Sequence, residues 1–231
     1  MNQKESGPTV AHRERLRPEL RGYLYQGGLF KHPLAIDWVH DIEDCGRLHQ
    51  LVDWKKSEIA NCIRSGDWSH LIWMYERWYR FQALYEHAAS MDDQVFWRCF
   101  GEVWHDSEDI RGNKWFFPRL LAKNRPQREQ MMNKKERRTL AQLPETITIY
   151  RGYSYPTAKK CWSWTFSLHH AKWFARRFVV LSRSPATVAV AEAQSKDVIA
   201  LLNRGDGGTI VIDPSTVKVK NLLRVKDDMA D

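Results

Sequence analysis

Three short segments in the last third of the chain combine residue types that suit an anionic dinucleotide. Ile149-Tyr150-Arg151-Gly152 ends a β-rich run in a guanidinium, and a planar guanidinium can donate two parallel hydrogen bonds to a phosphate. Ser163-Trp164-Thr165 carries two hydroxyls two residues apart, which a strand places on one face. The third segment, residues 204–214, begins with several glycines and continues into a short apolar strand. Each segment alone is weak evidence, but all three occur in order within the last third of the chain.

Together the three segments resemble the mono-ADP-ribosyltransferases of the arginine-serine-glutamate type. The stretch from Leu143 to Gly152, with the later strand and Asp213-Pro214, is similar to ADP-ribosyltransferase-like proteins encoded by bacteria and their phages. The resemblance covers residues 143–219, about a third of the 231-residue chain. It implies a toxin-like or phage-associated enzyme that transfers ADP-ribose from NAD, its co-substrate, to a macromolecule and releases nicotinamide.

The resemblance also assigns tasks to individual residues. Arg151 would clamp the pyrophosphate, and Gly152, which has no side chain, would let backbone groups approach the nicotinamide amide. Ser163 and Thr165 would brace the cleft, and the following helix would supply an aromatic ring near nicotinamide, from Trp173 or from the neighbouring Phe174. The expected NAD-binding residues are Tyr150, Arg151, Gly152, Ser163, Thr165 and Phe174.

The sequence departs from the family where a catalytic glutamate is expected. Counting back from Asp213-Pro214, that position falls on Thr209, which cannot supply negative charge to a ribose that develops oxocarbenium character. Two explanations stay open. Asp206 could supply the charge because three flanking glycines make its loop pliable, or the protein has lost catalysis and still binds NAD or its target. The candidate catalytic residues are therefore Arg151, Ser163, Asp206 and Thr209.

The elements that must position these residues are predicted from periodicity. β-rich runs occupy residues 146–150, 186–191, 209–212 and 216–219, and Cys161 to Ser167 alternates like a strand. A helix is predicted from Leu168 to Phe178. The expected class is α+β: a helical N-terminal region followed by a split mixed β-sheet. The predicted divisions are an N-terminal arm (1–30), a helical Trp-rich domain with a basic linker (31–140) and an ADP-ribosyltransferase-like catalytic domain (141–231).

The helical region is rich in aromatic residues. Eight of the 11 Trp lie in the first half of the chain. A helical pattern runs from Pro33 to about Ala89, with aromatic and aliphatic residues at spacings of three and four, and this stripe is either core or a base-stacking surface. Further helices are predicted from Asp92 to Trp104 and from Asn133 to Leu140, the latter with Glu136 placed for a capping box. The helical region would recognise or position the target.

Charge indicates the kind of partner. The formal net charge is +8, and no Asp or Glu lies between Glu145 and Glu192 while seven Lys or Arg do. A second basic strip runs from Arg119 to Arg138. Such fields favour a pyrophosphate and also RNA or DNA, although a solvated basic face explains single lysines equally well. The acceptor is either a protein or a nucleic acid, and the sequence does not specify a neutralising partner.

The remaining expectations concern compartment and alternative chemistries. The first 19 residues are polar and charged, which predicts neither a secretory signal nor a membrane anchor, and hence a cytoplasmic protein without a membrane partner. The four Cys are expected to be reduced and mostly buried, and no metal site is predicted. The acidic cluster at residues 105–109 is better explained as a helix-end turn than as a metal or acid–base site. His169 and His170 are expected to be surface residues at a helix start, because no serine-nucleophile motif accompanies them.

Overall fold

The computed structural model of the chain describes residues 10–107, 115–121, 125–154, 161–177, 179, 184–203 and 208–225. These residues form two compact units. Unit 1 contains the described residues up to Leu121, and unit 2 contains those from Arg125 onward. No helix among the described ranges has both the length and the apolar character needed to cross a bilayer.

Unit 1 is helical apart from one β-hairpin. Helix α2 begins with a reciprocal capping box between Asp41 and Asp44 and ends at Gly66, whose φ of 73° is the left-handed conformation that terminates many helices. The described elements are α1 Val10–Arg15, β1 Leu29–His32, β2 Ala35–Trp38, α2 Ile42–Ser65, α3 Trp68–Met74, α4 Arg80–His87, α5 Asp93–Asp106 and α6 Phe116–Leu121.

The N-terminal segment is part of the unit 1 core, so its prediction as an arm over residues 1–30 is wrong for the described residues. Leu16, Leu20 and Leu24 are buried in one cluster with Leu48 and Val52 of α2. Leu20 lies in a 3-10 helix over Pro18–Tyr23, Leu16 follows α1 directly, and Leu24 is the C-cap of the 3-10 helix. The three leucines lie among many charged residues, so the composition of the segment gave no indication that they are buried.

The aromatic stripe divides into core and surface. Leu71 and Ile72 of α3 are buried, but the chain leaves the α-helix after Met74 and makes a 3-10 turn at Arg77–Tyr79. Trp78 lies on that turn and is 55% exposed. The prediction of one continuous helical pattern from Pro33 to Ala89 is therefore wrong at two places, since the β1–β2 hairpin also overlaps its start.

Unit 2 combines helices with two three-stranded sheets, which confirms the α+β class. One sheet has the strand order β3-β5-β8 and the other β4-β7-β6, and every pairing is antiparallel rather than mixed. Strand β6 carries no sequence prediction. The described elements are α7 Lys134–Ala141, β3 Thr146–Tyr153, β4 Ser163–Trp164, α8 Leu168–Arg177, β5 Thr187–Gln194, β6 Val198–Leu202, β7 Thr209–Ile212 and β8 Lys218–Arg224.

Helix α7 belongs with these sheets, although the sequence boundary at residue 140 assigned it to the preceding domain. Its predicted capping box is present: the Asn133 side chain accepts hydrogen bonds from backbone N–H groups of the first turn, and Glu136 accepts one from the Asn133 N–H. The same Glu136 carboxylate accepts a 2.6 Å bond from the backbone N–H of Asn203, just after β6. This long-range bond ties the helix start to the strand end.

Candidate functional site

Arg151 is held on the face of β3 that carries the buried Ile147 and Ile149. Its cross-strand partner on β5 is Ala189, which is fully buried and has a small side chain. Arg151 Nη1 donates a 3.1 Å hydrogen bond to the carbonyl oxygen of Ser163, while its buried Nε has no partner. Within the described part of the chain no carboxylate pairs with this guanidinium. An unpaired, partly buried guanidinium is suited to an external anion.

The two sheets of unit 2 meet beside Arg151. The backbone N–H of Tyr150 donates to the Thr165 carbonyl at 2.8 Å, and the Thr165 N–H donates back at 3.0 Å. The Thr165 hydroxyl accepts from the Ser167 N–H at 3.1 Å, and the Ser167 hydroxyl accepts from the His170 N–H at 3.1 Å. The structure therefore brings Ser163 and Thr165 together with Arg151, and the Thr165 hydroxyl serves as a backbone brace.

Cys161 to Ser167 is only briefly a strand, so the prediction that the whole stretch alternates like a strand is wrong beyond Thr165. Strand β4 covers two residues, and Ser167 turns away as the N-cap of α8. His169 is exposed and His170 half-buried in the first turn of that helix. The Ser167 hydroxyl caps the helix instead of lining a strand face, because a serine hydroxyl that accepts a backbone N–H bond stabilises a helix start.

Gly152 has a different neighbour from the one expected. A Cβ built at this position would lie 1.7 Å from the backbone oxygen of Ala171 and 2.7 Å from the backbone nitrogen of Ala175. Only glycine allows α8 to pack this closely on β3. The side of Gly152 on which a Cβ would lie is therefore filled by a helix, and its expected approach to nicotinamide through the backbone stays a prediction.

Tyr150 lies on the same face of β3 as Gly152. Its half-buried ring packs against the α8 core residues Ala171 and Ala175 and against Val188. Because side chains alternate along a strand, Tyr150 and Arg151 point to opposite faces of the sheet. The Tyr150 backbone positions Thr165 beside Arg151, and the expected place of Tyr150 in an NAD site stays a prediction.

Thr209 begins β7 and lines a cavity of about 470 Å³ in unit 2. Strand β7 pairs with β4 through Val211 with Ser163 and Ile210 with Trp164. Arg151 does not line this cavity. The walls combine apolar and polar side chains from Asn133, Lys135, Glu136, Thr139, Phe166, Ser167, Leu201, Leu202, Asn203, Gly208, Thr209 and Ile210.

Glu136 is the acidic residue of this cavity that sequence analysis did not connect with Thr209. Its side chain is buried, and its two carboxylate oxygens accept bonds from the backbone N–H groups of Asn133, at 2.7 Å, and Asn203, at 2.6 Å. The capping-box pattern predicted the first bond. Nothing in the local sequence signals the second, because its donor is 67 residues away.

The aromatic candidates lie together on α8. The Phe174 ring is half-buried and packs edge-on against Trp173 at a centroid distance of 4.9 Å, and its centroid is 5.7 Å from that of His170. Trp173 is half exposed, and the guanidinium carbon of Arg177 lies 5.3 Å from its ring centroid. Both rings therefore remain accessible on a helix that begins beside Thr165.

Several predicted site residues lie outside the described residues. These are Asp206 and three cations of the acid-free interval, Lys159, Lys160 and Arg183. The four cysteines are free and buried, as predicted. In the described ranges no group of three or more His, Cys, Asp or Glu side chains could hold a metal ion. Asp106 of the acidic cluster ends α5 and forms ion pairs with Arg77 and Arg80, which confirms the helix-end interpretation for this residue.

No protein-family model, curated protein or solved structure matches this chain.

Proposed function

We propose that this protein is a mono-ADP-ribosyltransferase that moves ADP-ribose from NAD to a macromolecular acceptor. In the reaction the bond between nicotinamide and ribose C1′ breaks, nicotinamide leaves with the bonding electron pair, and an acceptor nucleophile forms the new bond to C1′ and loses its proton. The observation that carries the proposal is the guanidinium of Arg151, which is partly buried, donates only to the Ser163 carbonyl and pairs with no carboxylate of the described residues.

The residues around Arg151 fit the pyrophosphate half of NAD. The guanidinium N–H groups that do not bond to Ser163 can donate to phosphate oxygens, and a charge-assisted bond of this kind is roughly twice as strong as a neutral one. The Ser163 carbonyl fixes one arm of the guanidinium. Thr165 and Ser167 supply rigidity because their hydroxyls accept backbone N–H bonds.

The ribose half needs a carboxylate, and here two residues of the chain compete. Asp206 lies in the glycine-rich segment before β7 and is the residue we assign to the ribose. Glu136 lines the cavity beside Thr209, but two backbone N–H groups occupy its oxygens, so we assign it to the fold. Substituting each in turn separates them.

The experiment is incubation of the purified protein with a bacterial lysate and NAD labelled in the adenylate half. We expect labelled macromolecules and free nicotinamide. Label removed by nuclease identifies a nucleic-acid acceptor, and label removed by protease identifies a protein. Arg151→Ala should lower both signals at least about 100-fold through loss of the phosphate contact. Arg224→Ala is the matched control, since Arg224 is exposed on strand β8 of the same sheet.

The loop variants complete the test. Asp206→Asn should lower nicotinamide release by more than about tenfold, because a carboxylate that stabilises developing positive charge contributes several kcal/mol. Adding Thr209→Glu should restore part of that loss. Wild-type protein that neither releases nicotinamide nor binds NAD would contradict the proposal.

Thr209 favours one second candidate, a catalytically impaired NAD-binding or target-binding inhibitor protein. A neutral hydroxyl stands where the family carries its glutamate, and the nearby Glu136 carboxylate is committed to backbone groups. This candidate predicts NAD or target binding without nicotinamide release, and activity gained only in Thr209→Glu.

A further inference from the structure

The β1–β2 hairpin of unit 1 presents an outward face with two exposed tryptophans. Leu29 pairs with Trp38 and Lys31 pairs with Ile36, so these four side chains share one face. The alternate residues Phe30 and His32 point inward and are buried. Trp78, on the 3-10 turn at Arg77–Tyr79, extends this face: its ring centroid lies 4.1 Å from Lys31 Nζ. We call Leu29, Lys31, Ile36, Trp38 and Trp78 the aromatic face.

Both rings of the aromatic face are open to solvent. Trp38 is 52% exposed and Trp78 is 55% exposed. Diagonal neighbours on antiparallel strands are about 7 to 8 Å apart, so Lys31 neighbours Trp38 on the hairpin and also contacts Trp78. Tyr25, also 54% exposed, lies at the edge of the hairpin, where its N–H donates to the Leu29 carbonyl at 2.9 Å.

The charge on this face is uncompensated. Lys31 pairs with no carboxylate among the residues that the structure describes. The nearby Glu76 carboxylate is already bonded to Lys55 at 2.9 Å. Asp37 pairs across the hairpin with the inward-facing Phe30, so alternation places it on the other side of the strand. The aromatic face therefore has a positive character, in a chain of net charge +8.

We propose that the aromatic face binds single-stranded nucleic acid, with bases stacked on the Trp38 and Trp78 rings and a backbone phosphate beside Lys31. Proteins that bind single strands combine aromatic rings for stacking with cations that follow the phosphates. A duplex hides the faces of its bases, so the two rings select unpaired strands. A protein partner would have to bring a carboxylate for Lys31, because burying that cation unpaired would cost free energy.

This inference deepens the proposed function, because bound nucleic acid would then be the macromolecule presented for ADP-ribosylation, and that consequence rests on the proposed transferase activity. Binding itself does not need NAD. The two proposals can therefore fail separately: the binding assay below contains no NAD, and nicotinamide release from NAD is measured in a parallel sample without oligonucleotide.

The test is fluorescence anisotropy of a labelled single-stranded RNA of about 12 nucleotides, within the usual site size, titrated with the full-length protein. We expect Trp38→Leu and Trp78→Leu each to weaken binding at least about fivefold, since stacking of one base contributes about 1 to 3 kcal/mol. Lys31→Gln should weaken binding and reduce the salt slope by about 0.7, the value for one phosphate contact on a single strand.

Trp115→Leu is the matched control. Trp115 is 49% exposed and also has a cation over its ring, Arg119 at 3.5 Å, but it packs beside Tyr85 and Phe116, not on the hairpin. The control should bind like wild type. Equal losses in Trp115→Leu and Trp78→Leu, binding of the matched duplex as tight as the single strand, or binding only to vesicles of phosphatidylserine and phosphatidylcholine would each overturn the proposal.

Discussion

Arg80 in unit 1 and Arg151 in unit 2 are both partly buried guanidinium groups, yet the two units use them differently. Arg80 forms an ion pair with Asp106, donates from Nε to the Tyr75 carbonyl at 3.1 Å and stacks 4.0 Å from the Trp73 ring centroid. Among the described residues Arg151 makes one hydrogen bond, to a neutral carbonyl, and its buried Nε has no partner there.

The difference distinguishes a structural cation from a binding cation. Burial lowers the pKa of Arg80, and the Asp106 carboxylate acts in the opposite direction, so the fold itself compensates the buried charge. Arg151 has no such compensation among the described residues. A buried donor without an acceptor costs free energy, and a bound anion would recover that cost. Unit 1 thus uses the Arg80 charge for stability, whereas in unit 2 the Arg151 charge stays available for the anion of the proposed function.

The largest expected contrast is in stability. Arg80→Ala should lower the free energy of unfolding of unit 1 by about 3 kcal/mol, because it leaves Asp106 with Arg77 as its remaining partner. Arg151→Ala should change the stability of unit 2 by less than about 1 kcal/mol, since one lost hydrogen bond is offset by removal of an unsatisfied donor. Urea-dependent hydrogen exchange, followed peptide by peptide, measures the two units separately.

Lysine variants sharpen this contrast. Arg80→Lys keeps the charge but loses the planar stacking on Trp73, so it should recover only part of the stability. Arg151→Lys should be as stable as wild type and still bind NAD poorly. A loss of more than about 2 kcal/mol in Arg151→Ala would mean that Arg151 is structural after all, and the comparison would fail.

Much of unit 2 could be predicted from sequence because its elements depend on local patterns. Strand β7, helix α8 and the Asn133–Glu136 capping box lie where alternation, helical period and cap residues placed them. The β1–β2 hairpin has only four residues in each strand, too few for a clear period. Burial of Leu16 and Leu20 depends on the distant α2 and could not be predicted locally.

The candidate site was predictable to a similar degree. The proximity of Arg151 to Ser163 follows from the strand pattern and the resemblance. The close packing of Gly152 against α8 could not be predicted in this way. A glycine that contacts a ligand and a glycine that contacts a helix look the same in the sequence. The bond between Glu136 and the Asn203 N–H joins residues far apart in the chain, and no local pattern contains that information.

Unit 1 also contains a buried histidine, His32, whose neutral form should contribute to the stability of the unit. His32 is buried, and its Nδ1 accepts a 3.0 Å bond from the Leu34 N–H. Burial, with Lys56 and Lys55 nearby, lowers the pKa of His32 to about 4. Below its ordinary pKa of about 6.5 the unfolded chain takes a proton that the folded unit does not, so stability falls as the pH falls. Between pH 7 and pH 5 the loss should be about 2 kcal/mol.

His32→Asn isolates this effect, because its side-chain oxygen can accept the Leu34 N–H bond and does not titrate. Urea unfolding of both proteins at several pH values between 5 and 8 gives the difference. We expect the wild type to lose about 2 kcal/mol more than the variant on acidification. Parallel curves for the two proteins would show that His32 is protonated in the folded unit.

The smallest effect concerns Glu136, where unit 2 resembles unit 1 in satisfying a buried charge internally. Glu136→Gln replaces one acceptor oxygen with an NH₂ group, so one of the bonds to the Asn133 and Asn203 N–H groups is lost. We expect a loss of about 1 kcal/mol, typical of a helix cap, and faster hydrogen exchange at Asn203. Lys135→Ala is the matched control, since Lys135 is exposed and lines the same cavity.

Nicotinamide release by Glu136→Gln decides whether the Glu136 carboxylate in the cavity is structural, like Arg80, or catalytic. If Glu136 serves the fold, nicotinamide release should fall only in proportion to the unfolded fraction and should recover at lower temperature. If its charge stabilises the ribose, release should fall by more than about tenfold in fully folded protein. The second outcome would move the catalytic carboxylate from Asp206 to a residue that also anchors α7, and unit 2 would then use one buried charge for both stability and chemistry.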